Sequence, residues 1–125
     1  MRLVNLTPHR IVIRAPRDGV VVDIIVEPSL DVARVGTRVT DAGRCFVEGI
    51  GIPCETKEYT DVEGLPSQSD WPGTVYLVSG IVLSALKERK VMRGDVAAPA
   101  TGPNDGAVRD ASGQVVAVTK LNVLC

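Results

Sequence analysis

The sequence predicts an α+β fold: a mainly antiparallel, curved sheet of about seven short strands with one short amphipathic helix. Two observations indicate this class. Runs rich in Val and Ile have strand length and are separated by turns that draw on 12 Gly and 8 Pro residues. Helical spacing of apolar residues occurs in one segment, residues 80–90. A length of 125 residues is usual for one folding unit, so we expect a single domain over residues 1–125.

The first predicted elements are a short strand and a hairpin. Residues 2–7 form a β-branched run that Pro8 ends. Two more runs, residues 10–15 and 20–27, flank the tetrapeptide PRDG at residues 16–19, in which Pro, Asp and Gly favour a tight turn. We therefore expect these two runs to pair as an antiparallel hairpin.

The middle of the chain predicts two strands and a loop. DVARVGTRVT (residues 31–40) alternates polar and apolar residues and indicates a half-exposed strand, with a turn after it at residues 41–43. IPCETKEYTDVEG (residues 52–64) has the same alternation and suits an edge strand with one solvated face. The prolines and the glycine of residues 65–73 predict a loop, which is either a plain surface loop or a mobile lid.

The C-terminal half contains the clearest elements. TVYLV (residues 74–78) indicates a buried strand, and residues 80–90 a helix whose last turn carries cations that favour the helix dipole. Residues 95–106 predict a loop with at most a short extended piece. Residues 107–124 predict a final hairpin that turns at residues 111–113.

Composition and charge exclude two classes of partner. Lys and Arg total 14 against 15 Asp and Glu, a formal net charge of -1, and the chain has one Trp, one Phe and two Tyr. Neither a basic surface nor an aromatic stacking platform is expected, so no nucleic-acid partner is predicted. No run approaches the ~18 apolar residues of a membrane span. The expectation is a soluble cytoplasmic protein without a membrane partner.

The cysteines predict neither a disulfide framework nor a metal site. Cys45, Cys54 and Cys125 are an odd number and include no C-x-x-C pair. We expect three reduced thiols in an intracellular protein. A zinc site would need His9 together with all three thiols, and the spacing does not suggest one. No metal and no cofactor is therefore predicted.

Three polar clusters are candidate binding elements, and the first is VNLTPH. Asn5, Thr7 and His9 follow i, i+2, i+4 spacing, which places an amide, a hydroxyl and an imidazole on one side of an extended chain. Such a wall suits a sugar or a nucleotide. It lacks a nucleophile and an acid that would orient the imidazole, so no catalytic residue is assigned. The structural alternative is a turn shaped by the local hydrogen bonds of these side chains.

The second cluster lies at the start of the predicted helix. Ser79 is a favourable N-cap, and Gly80 leaves room for a phosphate or carboxylate to approach the free N–H groups of the first turn. The segment lacks the longer glycine-rich phosphate-binding motifs. An N-cap without a ligand is therefore the alternative.

The third cluster is the loop ATGPNDGAVRD, residues 100–110. Its candidate ligand contacts are Thr101, Gly102, Asn104 and Arg109. Arg109 offers a bidentate grip on a phosphate. The alternative is that Arg109 is a solvated residue of the final hairpin.

Four segments carry a resemblance to a set of phage proteins. They are VNLTPH at the N-terminus, TKEYTDVEGLP in the middle, GTVYLVSGIVLSAL through the helix and APATGPNDGAVRDASGQVVAVTKL at the end. In their order and spacing, over nearly the whole chain, the protein resembles small proteins of bacteriophages and of bacterial genomes that carry prophages. In size and in its apparent lack of catalytic machinery it is similar to phage counter-defence proteins that sequester cyclic nucleotides or cyclic ADP-ribose-like immune signals as oligomeric sponges.

This resemblance implies a homo-oligomer in the cytoplasm of infected or lysogenic bacteria that binds a nucleotide-like ligand without cleaving it. One alternative is a nucleotide or phosphoester hydrolase with His9 as general base or acid and Asp105 or Asp110 as its partner or metal ligand. Another is a protein-interaction or virion accessory module that docks a partner through residues 55–61 or through the loop around Trp71.

Overall fold

A computed structural model describes residues 2–68 and 73–124. Within these residues the chain forms ten strands and one helix, arranged as one four-stranded sheet and three two-stranded sheets. The described chain is mostly strand with one short helix, so the predicted α+β class is confirmed. The central sheet consists of β1 (Arg2–Asn5), β6 (Thr74–Leu77), β7 (Val96–Pro99) and β10 (Leu121–Val123).

The central sheet is mainly parallel, in the order β1-β6-β7-β10. β1 runs parallel to β6, β6 runs parallel to β7, and β10 is antiparallel to β7. The helix α1 (Gly80–Glu88) is the crossover between β6 and β7 that a parallel pair requires. The prediction of one sheet of about seven strands is therefore wrong, because the described strands form four separate sheets. Four of the six strand pairs are antiparallel. The parallel pairs of the central sheet were not predicted, because the direction of a short buried strand leaves no local signal in its residues.

One face of the central sheet is covered by α1. Ser79 caps this helix as predicted, because its side chain accepts a hydrogen bond from the N–H of Val82 at 3.3 Å. The helix ends at Glu88, two residues before the predicted end, and Lys90 has left helical geometry with a φ of 57°. The buried core on this side contains Leu6, Ala33, Val78, Val82, Leu83, Leu86, Val96, Ala98 and Leu124.

The opposite face of the sheet packs on the predicted hairpin, β2 (Ile11–Arg17) and β3 (Val20–Val26). Leu77 and Ala97 point to this side, since side chains alternate along a strand. They form a second core with Ile11, Ile13, Val26 and Val118. The hairpin turns at Asp18 and Gly19, whose φ angles of 50° and 81° are those of a two-residue primed turn.

The C-terminal segments differ from prediction in two ways. Residues 96–99, expected to form at most a short extended piece of a loop, form the buried strand β7, because a strand covered on both faces accepts small residues such as Ala97 and Ala98. The predicted final hairpin holds for β8 (Val108–Arg109) and β9 (Val115–Ala117). The residues after it leave that hairpin, and β10 pairs with β7 instead.

A long two-stranded hairpin, here termed the arm, projects from the rest of the chain. It consists of β4 (Thr37–Val47) and β5 (Ile50–Tyr59). All 11 residues of β4 are exposed, and a strand of that length spans about 35 Å. The turn predicted at residues 41–43 is wrong: these residues form a bulge within β4, and the chain reverses at residues 48–49.

Two sequence predictions concern residues outside the described part of the chain. The loop around Trp71 includes the undescribed residues 69–72, and Cys125 lies beyond residue 124. In the described part, no helix is long and apolar enough to cross a membrane.

Candidate ligand-binding groove

Three loops meet at one edge of the central sheet. β1, β6 and β7 are adjacent and parallel, so their carboxyl ends lie side by side. Residues 7–9 follow β1, Ser79 and Gly80 follow β6, and Thr101 follows β7. The carboxyl ends of parallel strands are a common position of ligand sites. The direction of the strands therefore brings part of each of the three polar clusters found in the sequence to one groove.

The loops enclose a groove with two lobes, the helix lobe and the hairpin lobe. Their volumes are about 400 Å³ and about 360 Å³, each in the range of small-molecule sites. The two lobes are adjacent, because both are lined by His9, Ile11, Pro99 and Thr101. The helix lobe adds Thr7, Pro8, Ser79 and Gly80, and the hairpin lobe adds Arg10, Val12, Val115, Val116, Ala117 and Val118.

Asn5 lies beneath the groove and holds its first loop in shape. It is 1% exposed, and its Nδ2 donates hydrogen bonds to the carbonyls of His9 at 2.7 Å and Val26 at 3.0 Å. Its Oδ1 accepts from the N–H of Thr7 at 2.9 Å and from the Thr7 hydroxyl at 2.7 Å. The amide makes four hydrogen bonds, so its bonding capacity is used within the protein. Asn5 is therefore a structural residue that shapes the turn through local hydrogen bonds, and the prediction that it contacts a ligand is not supported by its geometry.

Thr7 and His9 differ in what they present to the groove. Thr7 is 8% exposed, and its hydroxyl donates to Asn5. His9 is exposed, and its carbonyl is anchored by Asn5 while its side chain lines both lobes. Arg10, next in the chain, adds a cation to the hairpin lobe and forms an exposed ion pair with Glu27 at 2.7 Å.

The start of α1 forms the end of the helix lobe. Gly80 is exposed, and a Cβ atom built on it would meet nothing within 4 Å. The backbone of Gly80 is therefore open to the groove. The N–H groups of a first helical turn have no partner one turn earlier, and the helix dipole places partial positive charge there. No acidic residue lies in this first turn, so an anion would meet no repulsion from the helix itself.

The third loop contributes one lining residue and several that shape it. Thr101 is exposed and lines both lobes. The N–H of Gly102 donates to Asp105 Oδ2 at 2.8 Å, and a Cβ at Gly102 would lie 2.7 Å from that oxygen. Arg109 donates to the carbonyl of Thr101 at 2.8 Å. Gly102, Asn104 and Arg109 do not line the groove, and Arg109 instead secures the loop that does.

Asp105 and Asp110, the carboxylates predicted as partners of His9 in the hydrolase alternative, form hydrogen bonds within their own turns. Asp105 binds the N–H of Gly102 within its own turn. Asp110 binds the hydroxyl of Ser112 at 2.6 Å and the N–H of Gln114 at 3.0 Å, and these bonds hold the pKa of its carboxyl below the ordinary value. Neither side chain lines the groove. The general-acid or general-base arrangement of the hydrolase alternative is not assembled by these residues.

Part of the groove was missed in the sequence. Arg10 had a signal, because it directly follows the cluster that was singled out. Ile11, Pro99 and residues 115–118 had none, because they look like ordinary strand residues. Pro99 reaches the groove at the end of β7, and Ile11 and residues 115–118 reach it through the packing of β2 against β9. That packing joins segments about 100 positions apart.

The groove combines apolar walls with a polar, partly cationic edge. Its apolar side chains suit a flat ring, and the helix start, His9 and Arg10 suit a negatively charged group. Within the described residues, no three His, Cys, Asp or Glu side chains come together in a way that could hold a metal ion.

The fold and the site define a small α+β protein with a ligand-sized groove at the carboxyl edge of three parallel strands. No protein-family model matches the chain, and comparison with curated proteins and with solved structures finds no significant match.

Proposed function

We propose that this chain is a non-enzymatic binding protein that sequesters a nucleotide-like ligand in the groove. The observation that carries the proposal is the convergence of three separate polar loops on one groove of small-molecule size. The ligand's phosphate lies in the helix lobe against the backbone of Gly80, near His9. Its base or sugar lies between the apolar walls of the hairpin lobe.

The side chains of the groove favour binding over turnover. Asn5 and Thr7 use their polar groups on each other and on backbone carbonyls. His9 has neither Asp105 nor Asp110 as a partner, since each is held in its own turn. A pocket with anion-binding amides, an imidazole and no oriented acid–base pair retains its ligand unchanged.

The resemblance to phage and prophage proteins supports a role in counter-defence. In that role the chain acts in the cytoplasm of the infected or lysogenic bacterium and captures a cyclic nucleotide or a cyclic ADP-ribose-type immune signal. It works as a homo-oligomer, so each assembly offers several grooves. Sequestration lowers the free concentration of the signal in proportion to the number of sites, which suits an abundant, small protein.

Isothermal titration calorimetry with cyclic mononucleotides, cyclic dinucleotides and ADP-ribose derivatives tests this function. Gly80→Glu places a carboxylate at the helix start inside the groove, where it favours the helix but repels an anion. We expect at least about tenfold weaker binding from this variant. Ile81→Glu is the matched control, because it adds the same charge to the same helical turn but lines a neighbouring cavity with residues 32–35 and not the helix lobe.

The outcomes separate the alternatives. Ligand recovered with unchanged mass and affinity lost only in Gly80→Glu would support sequestration in the groove. A changed ligand mass that disappears in His9→Ala would establish the hydrolase instead. Equal loss in Gly80→Glu and Ile81→Glu, or full affinity in both, would remove the helix lobe from the site.

The arm favours a second candidate function, a protein-interaction or virion accessory module. Its distal end exposes large apolar side chains, with Phe46 73% exposed and Ile50 65% exposed. Exposed apolar surface on a projecting hairpin is typical of docking elements. The proposed edge strand at residues 55–61 belongs to this arm in its first five residues.

Light scattering coupled to size-exclusion chromatography tests the arm as a contact surface. The double variant Phe46→Ser and Ile50→Ser should dissociate any assembly or co-purified complex that the arm holds together, with ligand binding in the groove retained. Val21→Ser is a control, because Val21 is also 65% exposed but lies on β3. An unchanged mass in the double variant would exclude the arm tip.

A further inference from the structure

The arm buries little apolar surface of its own, so few interactions within it stabilise its folded form. Its residues face solvent on both sides, and isolated two-stranded hairpins are marginally stable in water. Paired hydrogen bonds between Gly36 and Thr60 close its base. Arg89, just after α1, ties that base to the body through an ion pair with Asp61 at 2.6 Å and a hydrogen bond to the carbonyl of Tyr59 at 3.1 Å. These contacts do not reach the distal half of the arm, where the bulge between Asp41 and Arg44 interrupts the pairing.

A pair of thiols spans the two strands in that distal half. Cys45 lies opposite Ile52, and Cys54 is two residues further along β5, on the same face. The two Sγ atoms are 2.8 Å apart, which is shorter than the van der Waals contact of two sulfur atoms and longer than a disulfide bond of about 2.05 Å. Cys45 is exposed and Cys54 partly exposed, so small reagents reach the pair.

We propose that Cys45 and Cys54 are a covalent modification site that closes to a disulfide across the arm when the protein meets a disulfide oxidant such as oxidised glutathione. One thiol loses its proton and attacks the oxidant, whose disulfide bond breaks and releases one reduced glutathione. The second thiol, as thiolate, attacks the mixed disulfide and releases the second reduced glutathione. Two cysteine thiols are oxidised by two electrons, and one glutathione disulfide is reduced to two thiols.

The closed form staples the distal half of the arm. A disulfide removes conformational freedom from the open state of the loop it closes, here residues 45–54. It also removes the hydrogen bond with Cys54 that raises the pKa of the Cys45 thiol. The raised pKa lowers the fraction of Cys45 present as thiolate at neutral pH, so the first attack by Cys45 should become faster as the pH rises. The expectation of three reduced thiols therefore applies to reducing conditions only.

Mass spectrometry of tryptic peptides tests the pairing directly. Cleavage after Arg44 and after Lys57 yields one peptide that contains Cys45 and Cys54, while Cys125 falls in a different peptide. After incubation with oxidised glutathione, we expect that peptide to lack the mass of two hydrogen atoms and to resist alkylation. Cutting after Glu48 should leave its two halves joined.

The rate of tryptic cleavage within the arm tests the staple. Oxidised protein should be cut at Arg44, next to Cys45, at least about tenfold more slowly than reduced protein, whereas cleavage at Arg38 near the base should change less. Cys45→Ser and Cys54→Ser should show no dependence on the oxidant, whereas Cys125→Ser should keep it in full. Alkylated or glutathionylated thiols in the oxidised sample would overturn the pairing. A closed disulfide with unchanged cleavage would overturn the staple.

Discussion

At the scale of single residues, Asn5 shows why a polar motif is ambiguous in a sequence. The spacing of Asn5, Thr7 and His9 predicts one polar wall. The chain turns at Pro8, however, so Asn5 and Thr7 are buried and His9 is exposed. Asn5 is inside the protein, where a side chain with four hydrogen bonds supports the backbone of the loop. The sequence therefore indicates where the loop lies, but it does not indicate which of its polar side chains is buried and which faces the groove.

Asn5→Ala should destabilise the protein by about 3 kcal/mol or more, because it removes four hydrogen bonds from a buried site. The carbonyl of Val26 and the N–H of Thr7 lose their bond to the side chain, and the carbonyl of His9 keeps only the Thr7 hydroxyl as a donor. Urea unfolding followed by circular dichroism measures the change. Asn104→Ala is the control: Asn104 is exposed, so its loss should change stability by less than about 0.5 kcal/mol. Unchanged stability in Asn5→Ala would contradict the structural role assigned to it.

Asp110 gives the β8–β9 turn a dependence on pH. Hydrogen bonds from Ser112, then from Gln114, lower its pKa, so the carboxylate form is the one that the fold favours. Its contribution is fully present above the pKa of the unfolded chain, about 3.9, and is lost as the pH falls through the lowered folded value. The amide signals of Ser112 and Gln114 should therefore shift cooperatively on acidification. Asp110→Asn should abolish that transition, and an identical profile in this variant would refute the assignment.

At the scale of elements, the sequence patterns that predicted secondary structure correctly are local ones. The hairpin of β2 and β3 follows from PRDG between two β-branched runs, and α1 follows from its apolar spacing and its Ser79 cap. β7 was predicted only as a short extended piece of a loop, because a buried strand of small residues resembles a loop. The bulge at residues 41–43 failed because Asp and Gly favour turns and bulges alike.

Ser79→Ala tests the cap that the sequence predicted. The hydroxyl accepts one of the helix's free N–H groups, so its removal should cost about 1 kcal/mol. Thermal unfolding measures this as a fall in Tm of a few degrees. Ser79→Asp should restore the stability, since it keeps the acceptor and adds a favourable charge at the helix start. A fall in Tm equal in both variants would indicate that packing, and not capping, is the contribution of Ser79.

At the scale of the whole molecule, strand direction decides what the polar clusters do together. In an antiparallel sheet the ends of β1, β6 and β7 would alternate between two edges. In the parallel arrangement they share one edge, and the loops after them line one groove. Nothing in residues 2–5 or 74–77 encodes that choice locally. It depends on α1 and on the long segment that returns from β1 to β6, both of which act at long range.

The groove and the arm occupy different parts of the chain and support different functions. The groove draws on residues from the central sheet, α1 and the β2 and β9 strands, whereas the arm contributes none of the residues that line it. Variants of one should therefore leave the other intact, which makes the two candidate functions separable in the same protein.

Chemical-shift mapping by NMR tests the central claim most directly. The protein is titrated with each cyclic nucleotide and ADP-ribose derivative, and the amide signals are followed residue by residue. Sequestration in the groove predicts saturable shifts at His9, Gly80 and Thr101, with the arm turn at Glu48 and Gly49 unchanged. Shifts confined to the arm, or none with any member of the panel, would contradict it.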